Sequence, residues 1–258
     1  MSASEHSVFQ ENAARAAERS EAAGDWRGVA SARSMQAEIA RAAADLVGAE
    51  EHLRAALSLY VALEDTYSAA RTLTSLAGLR FAVGDYAAAA ELNRQAAERV
   101  PGDTTALTGL AYAEWQAGSP ADAEVTFSQV LRWESDTAPA LAGRGQVRAD
   151  LGNYAAALDD LDRALKFPLD RDTEADARSA RALALAGLGR IAEAEAELAA
   201  SSRIDPGRSR TRLRGGQIAA LAGHRDEARA EIEHALQDRA SLSLAEQDSA
   251  SRLLTRIR

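Results

Sequence analysis

The sequence contains no cysteine, a single lysine and few aromatic residues among its 258 positions. The absence of cysteine excludes disulfides, thiolate zinc sites and thiol nucleophiles, and it favours a reducing cytoplasm over a disulfide-rich secreted setting. No run of about 18 consecutive apolar residues occurs, and the segment Met1–Gln10 lacks the apolar centre of a secretion signal. We therefore expect a soluble, cytoplasmic protein with no membrane association.

Basic residues are fewer than acidic ones, 30 against 39, so the net charge is -9 at pH 7. A surplus of carboxylates repels phosphate backbones, which nucleic-acid-binding proteins attract through clustered Lys and Arg. The composition therefore argues against nucleic acid as a partner. The abundance of alanine and the single lysine, Lys166, are typical of a high-GC bacterial source.

Signatures of catalysis are also missing. A phosphate-binding GxxxxGK loop needs a lysine after its glycine, but Lys166 follows Leu165. No two histidines stand four residues apart with an intervening glutamate, as the zinc-protease pattern requires. The acidic run Glu193, Glu195, Glu197 does not form a paired site, because residues two apart on a helix point away from one another. We predict no catalytic residue, no metal site and no cofactor.

What the sequence does contain is an internal repeat. Glycines that open similar turns recur at spacings of 34, 34, 37 and 34 residues, at Gly84, Gly118, Gly152, Gly189 and Gly223. Five residues after each glycine stands an alanine, followed by a mostly apolar residue four positions later and a mostly small one three positions after that. These spacings place each set on one face of a helix, so every repeat is predicted to be helix, turn, helix.

The two ends of the repeated region depart from this period. Setting Ala44-Asp45-Leu46 against Gly84-Asp85-Tyr86 adds a first unit of 40 residues, with its extra length in a second helix from Leu46 to about Leu63. An opening helix is predicted over about Val8 to Ala23. The capping-box pattern from Ser243 to Glu246 starts a final helix. The predicted organisation is an N-terminal helix in 1–29, tandem repeats over 30–240 and a C-terminal capping helix in 241–258.

Six such units, from about Ala30 to Asp238, resemble the tetratricopeptide repeat family in a bacterial form, and the family period is about 34 residues. The resemblance implies an all-α solenoid, wound as a right-handed superhelix, with the first helix of each unit lining the concave inner surface. Two apolar positions of the family's first helix hold Arg144, Arg178, Arg181 and Arg212 in the later units. Unpaired burial of arginine is prohibitive, so we expect these guanidinium groups to reach carboxylates, backbone or water.

Charge is distributed unequally between the two helices of the units. The six first-helix windows (30–43, 70–83, 104–117, 138–151, 175–188 and 209–222) carry +7, and the matching second-helix windows carry -8. Two interpretations stay open. The arginines pair with acids of adjacent second helices and leave the groove neutral, or Arg71, Arg210 and Arg214, at or near groove-facing positions, attract an acidic segment or C-terminal carboxylate of a partner.

Aromatic and amide side chains supply a second set of groove candidates. Tyr112 and Trp115 are three residues apart on one first helix, and Phe81 occupies the position of Trp115 in the preceding unit. We expect the stacked repeats to bring the three together, either as anchors for a peptide or as packing between repeats. Gln146 and Gln217 share the position of Tyr112 and are predicted to hydrogen-bond an extended peptide backbone.

The resemblance implies a scaffold or adaptor that binds a protein or peptide in its concave groove, with a regulatory role open. The alternative class is an enzyme with a small-molecule cavity inside the solenoid. That alternative requires Tyr112, Gln146, Arg148 and Asp150 to meet in one closed pocket. Homo-oligomer formation through the N-terminal helix is a third hypothesis.

Overall fold

The structure, a computed structural model, describes residues 3–257, with side chains from residue 8 onward. These residues form fourteen α-helices and one 3₁₀ segment and contain no strand. The helices are α1 (Ala3–Ala22), α2 (Trp26–Ala42), α3 (Leu46–Ala62), α4 (Thr66–Ala82), α5 (Tyr86–Arg99), α6 (Thr104–Gln116), α7 (Pro120–Trp133), α8 (Ala138–Asp150), α9 (Tyr154–Ala164), α10 (Arg171–Gly187), α11 (Ile191–Ile204), α12 (Ser209–Leu221), α13 (Arg225–Ala235) and α14 (Leu244–Arg256). The 3₁₀ segment, Leu236–Ser241, lies between α13 and α14. The predicted all-α class is confirmed. Residues 1, 2 and 258 of the predicted end segments lie outside the described residues.

Consecutive helices form the six predicted hairpins, from α2 and α3 to α12 and α13. The chain divides into two compact units, which we call the N-terminal unit, up to Gly109, and the C-terminal unit, from Leu110 onward. The first repeat begins with α2 at Trp26, within the segment 1–29 that was predicted to hold only the N-terminal helix. The division into 1–29, 30–240 and 241–258 itself stays a prediction.

Four aspartates spaced 20 residues apart set the helix starts of the N-terminal unit. Asp25, Asp45, Asp65 and Asp85 are the N-caps of α2 to α5, and each carboxylate accepts the backbone N–H three residues later. Such caps satisfy backbone donors that the first helical turn leaves free. The helices α2, α3 and α4 are each 17 residues long. The second helix of the first unit, predicted from Leu46 to about Leu63, is observed as α3, and the first helix α2 has the same length.

Glycines let the hairpins of the C-terminal unit pack closely. A β-carbon added at Gly143 would lie 2.3 Å from the ring of Phe127, and one at Gly145 would lie 2.6 Å from Leu161. Phe127 and Leu161 are fully buried. The first helix α8 thus approaches α7 and α9 at positions where only hydrogen fits, which is the close packing that a stack of helical hairpins requires.

The arginines at apolar family positions are all paired, which confirms the expectation for their guanidinium groups. Arg144 donates through Nε and Nη2 to the two oxygens of the buried Asp160, each at 2.8 Å. The others reach acids of their own or a neighbouring helix: Arg178 with Glu174 and Glu197, Arg181 with Asp162 and Glu197, and Arg212 with Glu231. The acidic second helices therefore stabilise the stack.

Candidate functional site

The eight side chains predicted to face a groove all lie on first helices, but they divide between the two units. Arg71 and Phe81 lie on α4 of the N-terminal unit. The other six lie on α6, α8 and α12 of the C-terminal unit: Tyr112, Trp115, Gln146, Arg210, Arg214 and Gln217. Several of these six are in direct contact, and they form the centre of the unit rather than an open surface.

Trp115 stands at that centre with only 1% of its surface exposed. Its Nε1 donates to Oδ2 of Asp150 at 3.0 Å. The guanidinium carbon of Arg210 lies 4.8 Å from the centre of the indole ring, within cation–π range. Because Trp115, Asp150 and Arg210 belong to α6, α8 and α12, the first helices of three hairpins meet at this point.

Arg214 has no exposed surface, so its charge depends entirely on protein partners. Its Nη1 lies 2.5 Å from Oδ1 of Asp150 and donates to Oε1 of Gln217 at 3.0 Å. Its Nη2 donates to Oε1 of Glu246 at 3.2 Å, and its Nε has no hydrogen-bond partner. Gln217 is thus occupied by an arginine of its own helix rather than offered to a peptide.

Arg210 is nearly as buried and holds Glu246 from the other side. Its Nε and Nη2 donate to Oε1 and Oε2 of that carboxylate at 2.8 and 3.1 Å, a forked geometry. Its Nη1 donates to Oδ2 of Asp176 at 2.6 Å, and Arg208 binds the same carboxylate. The expectation of exposed groove arginines is therefore corrected at Arg210 and Arg214. Both already hold an acidic side chain, and it comes from α14 of the same chain.

Glu246 occupies the third position of α14. Its carboxylate accepts the backbone N–H of Ser243, whose hydroxyl accepts the backbone N–H of Glu246, so the predicted capping box is confirmed. Burial raises the pKa of Glu246, but the charges of Arg210 and Arg214 outweigh burial and lower this pKa to about 2. Burial raises the pKa of Asp150, against the effect of Arg214.

Tyr112 and Gln146 fill space inside the C-terminal unit. The hydroxyl of Tyr112 donates to the carbonyl of Pro139 at 3.0 Å, and its ring meets the ring of Phe127 edge-on at 5.0 Å between centres. The ring centres of Tyr112 and Trp115 are 6.4 Å apart. Burial raises the pKa of Tyr112. Gln146 is buried, and its Oε1 has no hydrogen-bond partner. Of the two roles left open for the aromatic side chains, packing fits the buried Trp115 and the half-buried Tyr112. Gln146 was predicted to hydrogen-bond a peptide backbone, and its burial does not fit that prediction.

Arg71 differs from the other predicted arginines because it is exposed and makes no ion pair with any described residue. It lines a recess of about 210 Å³ between α2 and α4. Leu53 and Tyr60 of α3 form the apolar part of this recess, and its polar lining includes Ser31 and Ser75. In the same unit the ring of Phe81 packs edge-on against Tyr86, at 5.1 Å between ring centres.

The side chains on which an enzyme would depend do not converge. Arg148 and Asp150 diverge from one helix: Arg148 lies 2.7 Å from Glu124 and 2.8 Å from Asp160, whereas Asp150 binds Trp115 and Arg214. Among the described residues no group of three acidic or histidine side chains is placed to hold a metal ion. Within the same part of the chain no helix is long and apolar enough to cross a membrane.

Sequence reasoning missed Asp176 and Glu246 as partners of the buried arginines. The signal for Glu246 was present, because its capping box marked the start of α14. Its second role was not visible, since 36 residues separate it from Arg210 along the chain. Asp176 is separated from Arg210 by 34 residues, one repeat period, which is the spacing that a search for pairs between stacked first helices could have used.

Comparison with known proteins adds a family pattern and a fold. The pattern of the tetratricopeptide repeat matches residues 80–147. A tetratricopeptide repeat protein from Parabacteroides merdae is 18% identical, with 88% of this chain and 98% of that chain covered and a TM-score of 0.57. A thermophilic protein of the same type from Thermus thermophilus is 21% identical over 72% and 99% of the two chains, with a TM-score of 0.52.

A chain of the APC/C hetero-tetramer Cut9–Hcn1 is 12% identical, and the match covers 98% of this chain but 46% of that one, with a TM-score of 0.67. At these identities the likeness concerns the fold alone. No curated protein matches the sequence.

Proposed function

The chain is a tetratricopeptide-repeat protein, by the repeat matched at residues 80–147 and by its fold, and from that premise we propose that it binds an acidic segment of another protein. Tetratricopeptide-repeat proteins generally act as scaffolds for protein partners. The binding surface proposed here is the first-helix side of the N-terminal unit, around Arg71. The absence of cysteine supports action in a reducing cytoplasm, and the composition supports a bacterial source.

The observation that carries this proposal is the unpaired charge of Arg71. Arg80 on the same helix is bound to Glu50, and Glu38 across the recess is bound to Arg41 at 2.6 Å. Arg71 has no such partner among the described residues, although it stands beside an apolar floor. An arginine in this position offers five fixed donors to a carboxylate.

The lining of the recess suits a peptide that binds along the helices. Tyr60 is buried as part of the floor, while Ser31 and Ser75 lie on the two helices that flank it. The hydroxyls of these two serines make no hydrogen bond with a described residue. They are therefore available to an incoming backbone, and Arg71 is available to an acidic side chain or a C-terminal carboxylate.

The C-terminal unit provides an internal example of the same chemistry. There Arg210 holds the carboxylate of Glu246 through two nitrogens, and Glu246 belongs to the first turn of a helix. Forked pairing of this kind is stronger and more directional than a contact between a carboxylate and a point charge. An acidic side chain carried by a partner would meet Arg71 in the same manner.

Site-directed photo-cross-linking in cells of the source organism tests this function. Benzoylphenylalanine placed at Ser75 is expected to form a covalent adduct with a protein partner, and Arg71→Gln is expected to abolish that adduct. Arg99→Gln is the matched control, because Arg99 is exposed on the second helix α5 of the same unit. An adduct with twice the mass of the chain would identify a second copy as the partner. Equal adducts with and without Arg71 would contradict the proposal.

A further inference from the structure

We propose that α14 is an internal ligand of the C-terminal unit, and that the surface formed by Trp115, Arg210 and Arg214 accepts a partner helix beginning with Ser or Thr and carrying Glu three residues later. This inference deepens the proposed function, because it names a second surface and the kind of protein segment that fits it. The contacts of α14, its attachment and the charge it neutralises carry the argument.

The polar attachment of α14 is concentrated in its first turn, at the capping box and the carboxylate of Glu246. Of the thirteen residues of this helix, only Glu246 and Ala250 are buried. Apolar packing continues along its length, because Ala250 and Ile257 belong to the cluster around Leu213, and Leu253 and Leu254 pack against it. The buried ion pairs of Glu246 therefore act together with an apolar stripe to hold α14 in place.

A recess of about 310 Å³ runs beside the later turns of α14. It is lined by Leu183 and Gln217 on the first helices and by Arg252 and Leu253 on α14. Because Arg252 is exposed, this recess opens to solvent. One side of α14 is therefore accessible to water, while Ala250 on the other side is buried.

The segment that leads into α14 has the properties of a hinge. Residues 237–241 are all exposed, and Asp238 interrupts the 3₁₀ segment with φ -114° and ψ 69°. Beyond it, Ser243 is fully buried at the point where the helix starts. Between the linker and α14 lies the buried Leu242, and Asp238 of the linker accepts hydrogen bonds from Ser209 and Ser241. In our proposal the chain bends at this linker when α14 detaches.

Glu246 completes the charge balance of the surface. Asp150 serves Arg214, and Asp176 is shared by Arg208 and Arg210, so Glu246 supplies the second carboxylate of both Arg210 and Arg214. Buried cations that lose a carboxylate must acquire another or become hydrated. Once α14 leaves, the vacated surface is basic and aromatic, and it requires an anion of the same geometry.

The partner segment is defined by these contacts. The buried hydroxyl of Ser243 accepts the backbone N–H of Glu246, and the carboxylate of Glu246 accepts the backbone N–H of Ser243. These two hydrogen bonds fix both side chains relative to each other, so the pair binds the surface as a preformed unit. Serine or threonine with glutamate three residues later reproduces both contacts. Because α14 is tethered, it competes at high effective concentration, and a partner binds strongly only when α14 is released.

The test uses full-length chains and a fluorescent synthetic peptide with the sequence of residues 241–258. Glu246→Gln removes the charge that holds α14, so this variant is expected to bind the peptide about tenfold more tightly than the wild type. Amide hydrogen exchange over 244–256 is expected to accelerate in the same variant. Asp248→Asn is the matched control, because Asp248 is an exposed acid of the same helix, and it is expected to behave as the wild type.

Ser243→Ala provides a second route to release that keeps every charge in place, and loss of this cap is expected to raise peptide affinity about fivefold. Equal peptide affinity in wild type and Ser243→Ala would overturn the inference even if Glu246→Gln fails to fold. So would faster exchange of α14 in Glu246→Gln without tighter peptide binding. These outcomes leave the Arg71 cross-link unaffected, since the two experiments use different units and different probes.

Discussion

Replacing Ala44 or Glu64 by glycine is expected to stabilise the N-terminal unit. The two residues have φ values of +59° and +55°, in the left-handed region, and stand directly before the caps Asp45 and Asp65. Gly24 occupies the same turn position 20 residues earlier, with φ +68°. A residue with a β-carbon loses about 1–2 kcal/mol in this conformation, because the β-carbon approaches the following carbonyl oxygen.

The net gain is smaller than that strain. Glycine gives the unfolded chain more freedom, which offsets about 0.4–1 kcal/mol. We therefore expect Ala44→Gly and Glu64→Gly each to raise the free energy of unfolding by about 0.5–1 kcal/mol. For a chain of this size that corresponds to a rise in Tm of about 1–4 °C. The two sites lie in different turns, so we expect their effects to add.

Denaturant unfolding followed by far-UV circular dichroism measures this gain, and native-state hydrogen exchange assigns it to α2, α3 and α4. The reverse substitutions, Gly24→Ala and Gly84→Ala, are the matched controls. Nothing lies within 4 Å of a β-carbon built at either glycine, so backbone strain alone should lower stability there. A lower unfolding midpoint in Ala44→Gly, or no loss in Gly24→Ala, would refute the reasoning.

Three other outcomes follow from the packing and charge of the two units. Gly143→Ala is expected to lower the free energy of unfolding by about 1–3 kcal/mol, because its β-carbon would clash with Phe127. Gly78→Ala, with open space at its β-carbon, is expected to raise the free energy of unfolding by about 1 kcal/mol by favouring α4. Thermal unfolding of the two variants measures both changes. Asn93→Leu should raise the unfolding midpoint, because the buried Oδ1 of Asn93 has no hydrogen-bond partner. The lowered pKa of Glu246 means that its stabilising effect is complete above the unfolded value near 4.5 and is lost as pH falls towards 2, so hydrogen exchange of α14 should accelerate across that range.

Periodicity predicted the hairpins because each contact in a stack of repeats is local and recurs. The turn glycines, the alanine five residues later and the 34-residue spacing all describe one unit packing on the next. The 20-residue spacing of the caps in the N-terminal unit is harder to predict from the sequence. Ala44 and Glu64 stand where glycine is usual, so two of its four turns lacked their strongest sequence signal.

The candidate site was less predictable because it depends on contacts across several repeats. Helical phase correctly placed Trp115, Arg210 and Arg214 on first helices. It could not show that α6, α8 and α12 meet closely enough for Trp115 to contact both Asp150 and Arg210. Because these three helices meet, side chains predicted to lie on a surface are buried instead. The spacing of residues within a single helix cannot predict such a contact.

The charge pattern explains why the two open interpretations both had support. An excess of +7 on the first helices and -8 on the second ones describes the total charge available for pairing, not which charges are left over. In the C-terminal unit, Arg144 and Arg181 pair with acids of second helices. Arg210 is instead neutralised by Asp176 of another first helix and by Glu246 of α14.

A basic first helix therefore identifies a binding surface only where an arginine remains unpaired after the whole fold is assembled. By that criterion Arg71 is a stronger candidate than Arg80 of the same helix, because Arg80 is bound to Glu50 and no described residue neutralises Arg71. At Arg210 and Arg214 the proposed surface would become available only when Glu246 is withdrawn, because a buried guanidinium group keeps its carboxylate until another anion or water replaces it. The two proposed surfaces therefore differ in what would open them: binding at Arg71 would depend on the partner alone, and binding at Arg210 and Arg214 on competition with α14.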